Sequence, residues 1–322
     1  SQTRRQNTYP EIHHRGGGDT MITRLDQLPS REAISPGHNA CAGCGAMVTI
    51  RQILLAAPRP LIAVNATGCL EVVTSPYPYT AWNIPWLHVA FENVAAAASG
   101  IEAALKALER KGLGRRHNII AFAGDGGTFD IGLQALSGAL ERGHRLLFVC
   151  YDNEAYMNTG IQRSAGTPTG AWTSTTPSGK PENKKDIMAI VLAHGVKYAA
   201  TATPFFWKDL VNKVAKAFTF DGPTFMHVYA PCPRGWYTEP DKTIQLSKLA
   251  VETRYFPLYE VENDRYKINY YVAQPKPLEE FLKLQNRYHI LLRPENGHLL
   301  EKLKTEVQER WIKLTKLAAA SA

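Results

Sequence analysis

At 322 residues, 44% hydrophobic and 20% charged, the chain is long enough for one large domain with appendages, or two domains, around a substantial core. No window approaches the roughly 18 to 20 uninterrupted apolar residues of a membrane span, and Ser1 to Asp19 lack the apolar core of a secretory signal, so a cytoplasmic protein is expected. The net charge of +8 raises nucleic acid as a partner, but no dense Lys/Arg stripe is interleaved with stacking aromatics, and an acidic partner or a solvated surface is the better reading.

In chain order, the basic arm 1–34 with its His14-Arg-Gly-Gly-Gly18 run is expected to be disordered or draped over a partner, because glycine and charge disfavour an independent core. Leu61 to Val64 reads as a strand leading into Asn65-Ala-Thr-Gly-Cys69, and Asn93 to Leu108 as an Ala-rich helix. Ile119 to Ala123 is a second buried strand, ending in Gly124-Asp-Gly-Gly127 and followed by a helix over Ile131 to Glu141. Leu146 to Tyr151 is a third strand, opening into Asp152-Asn-Glu-Ala-Tyr-Met-Asn158. The Thr/Ser/Gly/Pro-rich stretch from Thr159 to Pro181 is too long for a plain connection and reads as a functional loop. Then come a helix near Asp186 to Ala193, a strand at Tyr198 to Ala202, a helix at Lys208 to Phe218 and a strand at Thr224 to Tyr229 that delivers Cys232. The alternation predicts an α/β fold with a mostly parallel sheet and helices on both faces, in a domain at 35–236. Residues 237–322 read as an extension of short aromatic segments, including Tyr255 to Tyr259 and Tyr266 to Tyr271. It ends in a helix from Gly297 to Ala319 whose stripe of Leu299, Leu300, Leu303, Val307, Trp311 and Leu314 suits a tail wrapped on another subunit.

Cys69, Asp125, Asp152, Asn153 and Cys232 all fall just past predicted strand ends, the edge where open parallel sheets bind ligands. Five cysteines without a secretory signal do not resemble a disulfide framework, and the Cys41-Ala-Gly-Cys44 pair in a reducing compartment favours metal or redox use. Cys41, Cys44, Cys69 and Cys232 converging on one centre would hold an iron–sulfur cluster or a structural zinc, and spacing alone leaves both open. Cys150, inside a strand, reads as a core residue. A Gly-Asp-Gly turn lets backbone approach a phosphate closely, while the Asp125 carboxylate offers a hard oxygen to magnesium. Taken alone it is also a common glycine turn with a solvated Asp. One crossover later Asn153 supplies a second oxygen beside it, and the Ala155 carbonyl a third, which together make the magnesium–diphosphate signature of thiamine diphosphate enzymes. His38 and His88 suit either a diphosphate contact or a structural hydrogen bond. Arg163 suits a substrate carboxylate, a phosphate or a surface ion pair, and Glu92 and Glu154 read as structural acceptors.

Taken together, His38-Asn-Ala-Cys-Ala-Gly-Cys-Gly45, Ala66-Thr-Gly-Cys-Leu-Glu71, Tyr77-Pro-Tyr-Thr-Ala-Trp82, Phe91-Glu-Asn93, the Gly124 to Gly138 run, the Tyr151 to Ser164 run and Ala230-Pro-Cys-Pro233 resemble the beta subunit of the 2-oxoacid:ferredoxin oxidoreductases, the pyruvate-type enzyme above all. The resemblance implies a thiamine diphosphate-binding fold of the diphosphate type, with Thr67, Gly68, Gly124, Asp125, Gly126, Gly127, Asn153 and Asn158 at the cofactor. It implies Mg2+ on Asp125, Asn153 and the Ala155 carbonyl, and Asn158 in the substrate pocket. Cys41, Cys44, Cys69 and Cys232 would hold a [4Fe-4S] cluster. It further implies an alpha subunit completing the thiamine site, gamma and delta ferredoxin-like subunits or domains, ferredoxin, coenzyme A and a 2-oxoacid as partners, and a dimer of heteromers.

Overall fold

The computed structural model describes residues 21–30, 32–76 and 78–321; most of the N-terminal arm (1–20) and Tyr77 of the Tyr77 to Trp82 motif lie outside them. Eight strands form one sheet: β1 (Leu61–Ala66), β2 (Trp86–Val89), β3 (Asn118–Gly124), β4 (Leu147–Asp152), β5 (Tyr198–Ala202), β6 (Thr224–Tyr229), β7 (Tyr259–Glu262) and β8 (Arg265–Ile268). Helices α1 (Gly45–Ala56), α2 (Cys69–Thr74), α3 (Val94–Arg110), α4 (Leu133–Glu141), α5 (Ile187–Leu192) and α6 (Trp207–Ala217) interleave with the parallel strands. Past β6 come α7 (Pro233–Trp236), α8 (Thr243–Glu252), α9 (Leu278–Leu282) and α10 (Gly297–Ala320). The order across the sheet is β2-β1-β3-β4-β6-β5-β7-β8. Pairings from β2 to β5 are parallel, and the β7–β8 hairpin adds antiparallel to β5.

The near-continuous apolar runs of β1, β3 and β4 are those of strands covered on both faces. Period-two alternation sorts their side chains: in β3, Ile120 and Phe122 enter the core shared with α1 and α6, while Ile119, Ala121 and Ala123 enter the core under α3, α4 and α5. Helix α6 is amphipathic, and Leu210, Val211, Val214 and Ala217 are its buried stripe. Several elements escaped the sequence reading, the short helices α2, α7 and α9 and the ten-residue α8 among them. Helix α1 carries no boundary signal at its start beyond Gly45, β2 is a four-residue edge strand, and the aromatic segments near Tyr259 and Tyr266 pair as a hairpin. The helix expected from Ile131 starts at Leu133, because the chain first makes a π-helical turn over Gly126–Asp130 in which the Ile131 N–H donates to the Gly126 carbonyl at 3.3 Å.

The terminal stripe differs from the expectation. Leu303, Val307, Trp311 and Leu314 are buried against this chain's own Tyr255, Phe256 and Phe281, so α10 finds its packing surface without a second subunit. The described end of the arm also lies on its own chain rather than loose: Ile22 exchanges hydrogen bonds with Asn212 on α6 at 2.8 and 2.9 Å, and Ala33 and Ile34 are buried. Among the described residues no helix is long and apolar enough to cross a membrane.

Candidate active site

Strand β1 leads on to β2 at one side of the sheet and β3 leads on to β4 at the other, so the carboxyl ends of β1 and β3 flank a crevice at a topological switch point. A cavity of about 110 Å³ lies there. Its walls come from Thr67 to Cys69 after β1, Gly124 to Gly127 at the end of β3, and Asn153 and Ala155 to Thr159 after β4, with Phe91 and Tyr151 completing them. Every residue that the resemblance placed at the cofactor, from Thr67 to Asn158, borders this one cavity. Phe91 and Tyr156 meet edge to face at 5.7 Å, and the Tyr156 hydroxyl donates to Asp130 at 3.0 Å.

Asp125 is fully buried at the start of the π turn. One terminal atom of the Asn153 amide lies 3.0 Å from Asp125 Oδ1 and 3.1 Å from the Ala155 carbonyl oxygen. With nitrogen in that position the amide donates to both. With oxygen there, three oxygens from a carboxylate, an amide and a carbonyl converge, which is the donor set a hard cation takes. Ser164, from the long loop, donates to Asp125 Oδ2. Burial pushes the Asp125 carboxyl well above the usual carboxylate range, and Asp152 adds to the effect. A divalent cation reverses that balance, so the cradle fits one.

Backbone docking brings the Cys41–Cys44 loop beside Cys232, and Cys69 lies close enough to feel all three. Cys41 and Cys44 precede α1, Cys69 opens α2, and Cys232 caps α7 with its sulfur accepting from the Gly235 N–H at 3.3 Å. The Cys41–Cys44 loop closes on the Cys232 segment: the Gly45 N–H donates to the Pro231 carbonyl at 3.0 Å, and Thr243 Oγ1 donates to the Gly43 carbonyl at 2.5 Å. Only glycine allows this approach, since a Cβ at Gly43 would lie 2.2 Å from the Pro240 oxygen and one at Gly45 2.4 Å from the Pro231 oxygen. Burial, then the neighbouring Cys232, Cys44 and Cys41, push the Cys69 thiol up to about 12. Burial, opposed by the Gly235 N–H and reinforced by Cys44 and Cys41, puts Cys232 at about 11. The four sulfurs therefore share one electrostatic neighbourhood. Among the described residues, no three His, Cys, Asp or Glu side chains are gathered tightly enough for a single metal ion. Cys69 belongs to both places, as a thiol of this set and as a wall of the cavity. Cys150 stands apart in the core.

Other singled-out residues resolve locally. His88 Nε2 lies 2.8 Å from Thr67 Oγ1 at the cavity wall, the His38 ring accepts from the Ala40 N–H at 3.4 Å, and Arg163 pairs with Glu182 at 3.6 Å on the surface. Glu92 is exposed. Asp152, grouped by sequence with the ligand edge, is instead buried in an ionic chain. Lys184 Nζ donates to Asp152 Oδ2 at 2.5 Å and to Glu154 Oε1 at 2.8 Å, and Arg287 donates to Glu154 Oε2 at 2.5 Å. Burial opposes the Asp152 charge, yet Lys184 and His227 hold its carboxyl down to about 2. Sequence reasoning missed Ser164, Lys184 and Arg287. A Lys184-Lys185 pair in a polar loop reads as solvated charge, and nothing local to Arg287 marks it as buried.

Residues 66–228 match the family described as thiamine pyrophosphate enzyme, C-terminal TPP binding domain. The chain is 52% identical to pyruvate synthase subunit PorB of Methanothermobacter thermautotrophicus, over 88% of this chain and 96% of that protein. It is 50% identical to ketoisovalerate oxidoreductase subunit VorB of Pyrococcus abyssi, over 92% of this chain and 97% of that protein. Among solved structures, the 2-oxoglutarate:ferredoxin oxidoreductase of Magnetococcus marinus shares the fold at 20% identity, with a TM-score of 0.53 over 69% of this chain and 79% of that one. With half the chain inside the thiamine pyrophosphate family and relatives matched nearly end to end, the chain belongs to the beta subunits of the 2-oxoacid:ferredoxin oxidoreductases.

Proposed function

We propose that this subunit carries the diphosphate half of a thiamine diphosphate site and a [4Fe-4S] cluster beside it, in a complex that oxidatively decarboxylates pyruvate to acetyl-CoA and CO2 and passes the electrons to ferredoxin. The observation that carries the reading is the shared wall: Cys69 borders the same cavity as the Asp125, Asn153 and Ala155 oxygens. When bound, thiamine diphosphate supplies the carbanion chemistry that cleaves a 2-oxoacid, and an iron–sulfur cluster accepts electrons singly.

The chain's own residues then have distinct tasks. Asp125, Asn153 and the Ala155 carbonyl hold Mg2+, and the backbone of Thr67, Gly68, Gly124, Gly126 and Gly127 borders the diphosphate. Asn158 lines the same cavity and would contact the substrate, and the Phe91–Tyr156 pair would keep water from it. Cys41, Cys44, Cys69 and Cys232 hold the cluster. The thiamine diphosphate signature on the same sheet edge favours a cluster over a structural zinc, because zinc cannot take up the electrons that the cofactor would release. An alpha subunit completes the cavity and gamma and delta units carry electrons onward, in a cytoplasmic dimer of heteromers. Residues 35–236 are the cofactor-binding unit, and the exposed faces of 237–322 meet the neighbouring subunits.

Pyruvate is the first substrate because the PorB relative is named for pyruvate synthesis, and 2-oxoisovalerate is the second because the VorB relative is nearly as similar. The deciding experiment is anaerobic purification of the complex, analysis of iron, sulfide and visible absorption, and coenzyme A-dependent viologen reduction with a panel of 2-oxoacids. Brown, iron-loaded protein fastest with pyruvate is expected. A colourless, zinc-loaded and active complex overturns the cluster, and a stronger response to a branched 2-oxoacid overturns the substrate.

A further inference from the structure

Glu154 sits between Asn153, whose amide meets Asp125, and Ala155, whose carbonyl meets the same amide, and its own backbone is left-handed at φ 68°, a conformation that non-glycine residues rarely adopt. Its carboxylate turns away from the cavity and is fully buried. There it accepts from Lys184 at 2.8 Å and Tyr255 at 2.8 Å on one oxygen, and from Arg287 at 2.5 Å and Tyr229 at 3.3 Å on the other. Arg287 is held in turn by Gln285 at 2.7 Å and lies 3.9 Å over the Trp236 ring. Trp236 closes the circuit by donating from Nε1 to the Asn153 carbonyl at 2.8 Å, while Thr167 donates to the Glu154 carbonyl at 2.8 Å. Groups from the C-terminal extension and the segment after Cys232 thus grip both residues.

Buried ion pairs are a weak way to stabilise a fold, because desolvation offsets most of their attraction, but their directional demands can fix a geometry. We propose that Arg287 is a positioning residue for the cation loop: through Glu154 and Trp236 it sets the turn that aims the Asn153 amide and the Ala155 carbonyl at Asp125. This rests on the magnesium and thiamine diphosphate site proposed above. The C-terminal extension is then part of the cofactor site, although none of it borders the cavity.

The test is the dissociation constant of Mg2+·thiamine diphosphate for the full-length complex, measured by equilibrium dialysis after cofactor removal, alongside the unfolding midpoint and iron content. Arg287→Met is expected to weaken binding about 10–100-fold, the usual cost of losing an outer-shell partner of a metal site. The KM for the cofactor should rise more than kcat at saturation falls. Arg287→Lys should recover part of the affinity. Tyr255→Phe, which removes one hydrogen bond to Glu154, should give a smaller loss and decides the matter if Arg287→Met does not fold. Variants that melt earlier yet bind within twofold of the parent assign Arg287 to fold stability alone and overturn the proposal. A parent complex that binds no Mg2+·thiamine diphosphate overturns the function proposed above and this inference with it.

Discussion

The two halves of the site are built on opposite principles. The cation cradle comes from adjacent strand ends, is fully buried at Asp125 and is fastened by side-chain charge through Lys184 and Arg287. The cysteine set comes from three distant segments, is partly buried except for the exposed Cys41, and is fastened by close main-chain approaches at Gly43 and Gly45. The first is rigid because its polar groups are buried and satisfied; the second is rigid because no side chain separates two stretches of main chain. Each therefore fails in its own way.

The largest effect is expected at the cradle. Asp125→Ala should abolish Mg2+·thiamine diphosphate binding and lower turnover by more than the roughly 10–100-fold that outer-shell changes cost at metal sites, while iron content and visible absorption persist. Cys232→Ser should do the reverse, losing most of the iron and all viologen reduction while equilibrium dialysis still finds cofactor bound. A single change that empties both centres would show that they are one unit rather than two.

Stability changes come next. Lys184→Met leaves Asp152 paired with His227 alone and Glu154 paired with Arg287 alone, and by the cost of breaking a buried pair it should lower stability by about 3–5 kcal/mol in urea unfolding. The same contacts predict acid sensitivity. Asp152 is held below its ordinary 3.8, so its contribution is fully present above that value and disappears as pH falls towards about 2, which circular dichroism across that window should record. A more local effect is expected from Gly45→Ala, whose new methyl meets the Pro231 backbone and forces one of the two segments to shift. Overpacking there should cost at least about 1–3 kcal/mol and loosen iron retention while cofactor affinity stays within twofold.

Much of the sheet edge was legible in the sequence. Tyr198–Ala202 and Thr224–Tyr229 form strands with the bounds expected of them, because continuous apolar runs between turn residues have few other uses in an alternating pattern. Asp125 and Asn153 were legible because one crossover necessarily sets successive strand ends side by side. What stayed hidden depends on contacts far apart in sequence. Nothing near Arg287 announces that it reaches Glu154, and the stripe on α10 reads equally well as a subunit contact until Tyr255 and Phe281 are seen beneath it.

The position of Cys69, two residues after Thr67 on the cavity wall, has a further consequence. Two peptide units span at most about 7 Å when fully extended, so the gap between cofactor cavity and first sulfur is limited by covalent bonds. Electron tunnelling decays steeply with distance. In the proposed function, the wall that would meet the cofactor and the first sulfur that would meet the cluster are one covalent segment, so subunit docking could not pull those two contacts apart.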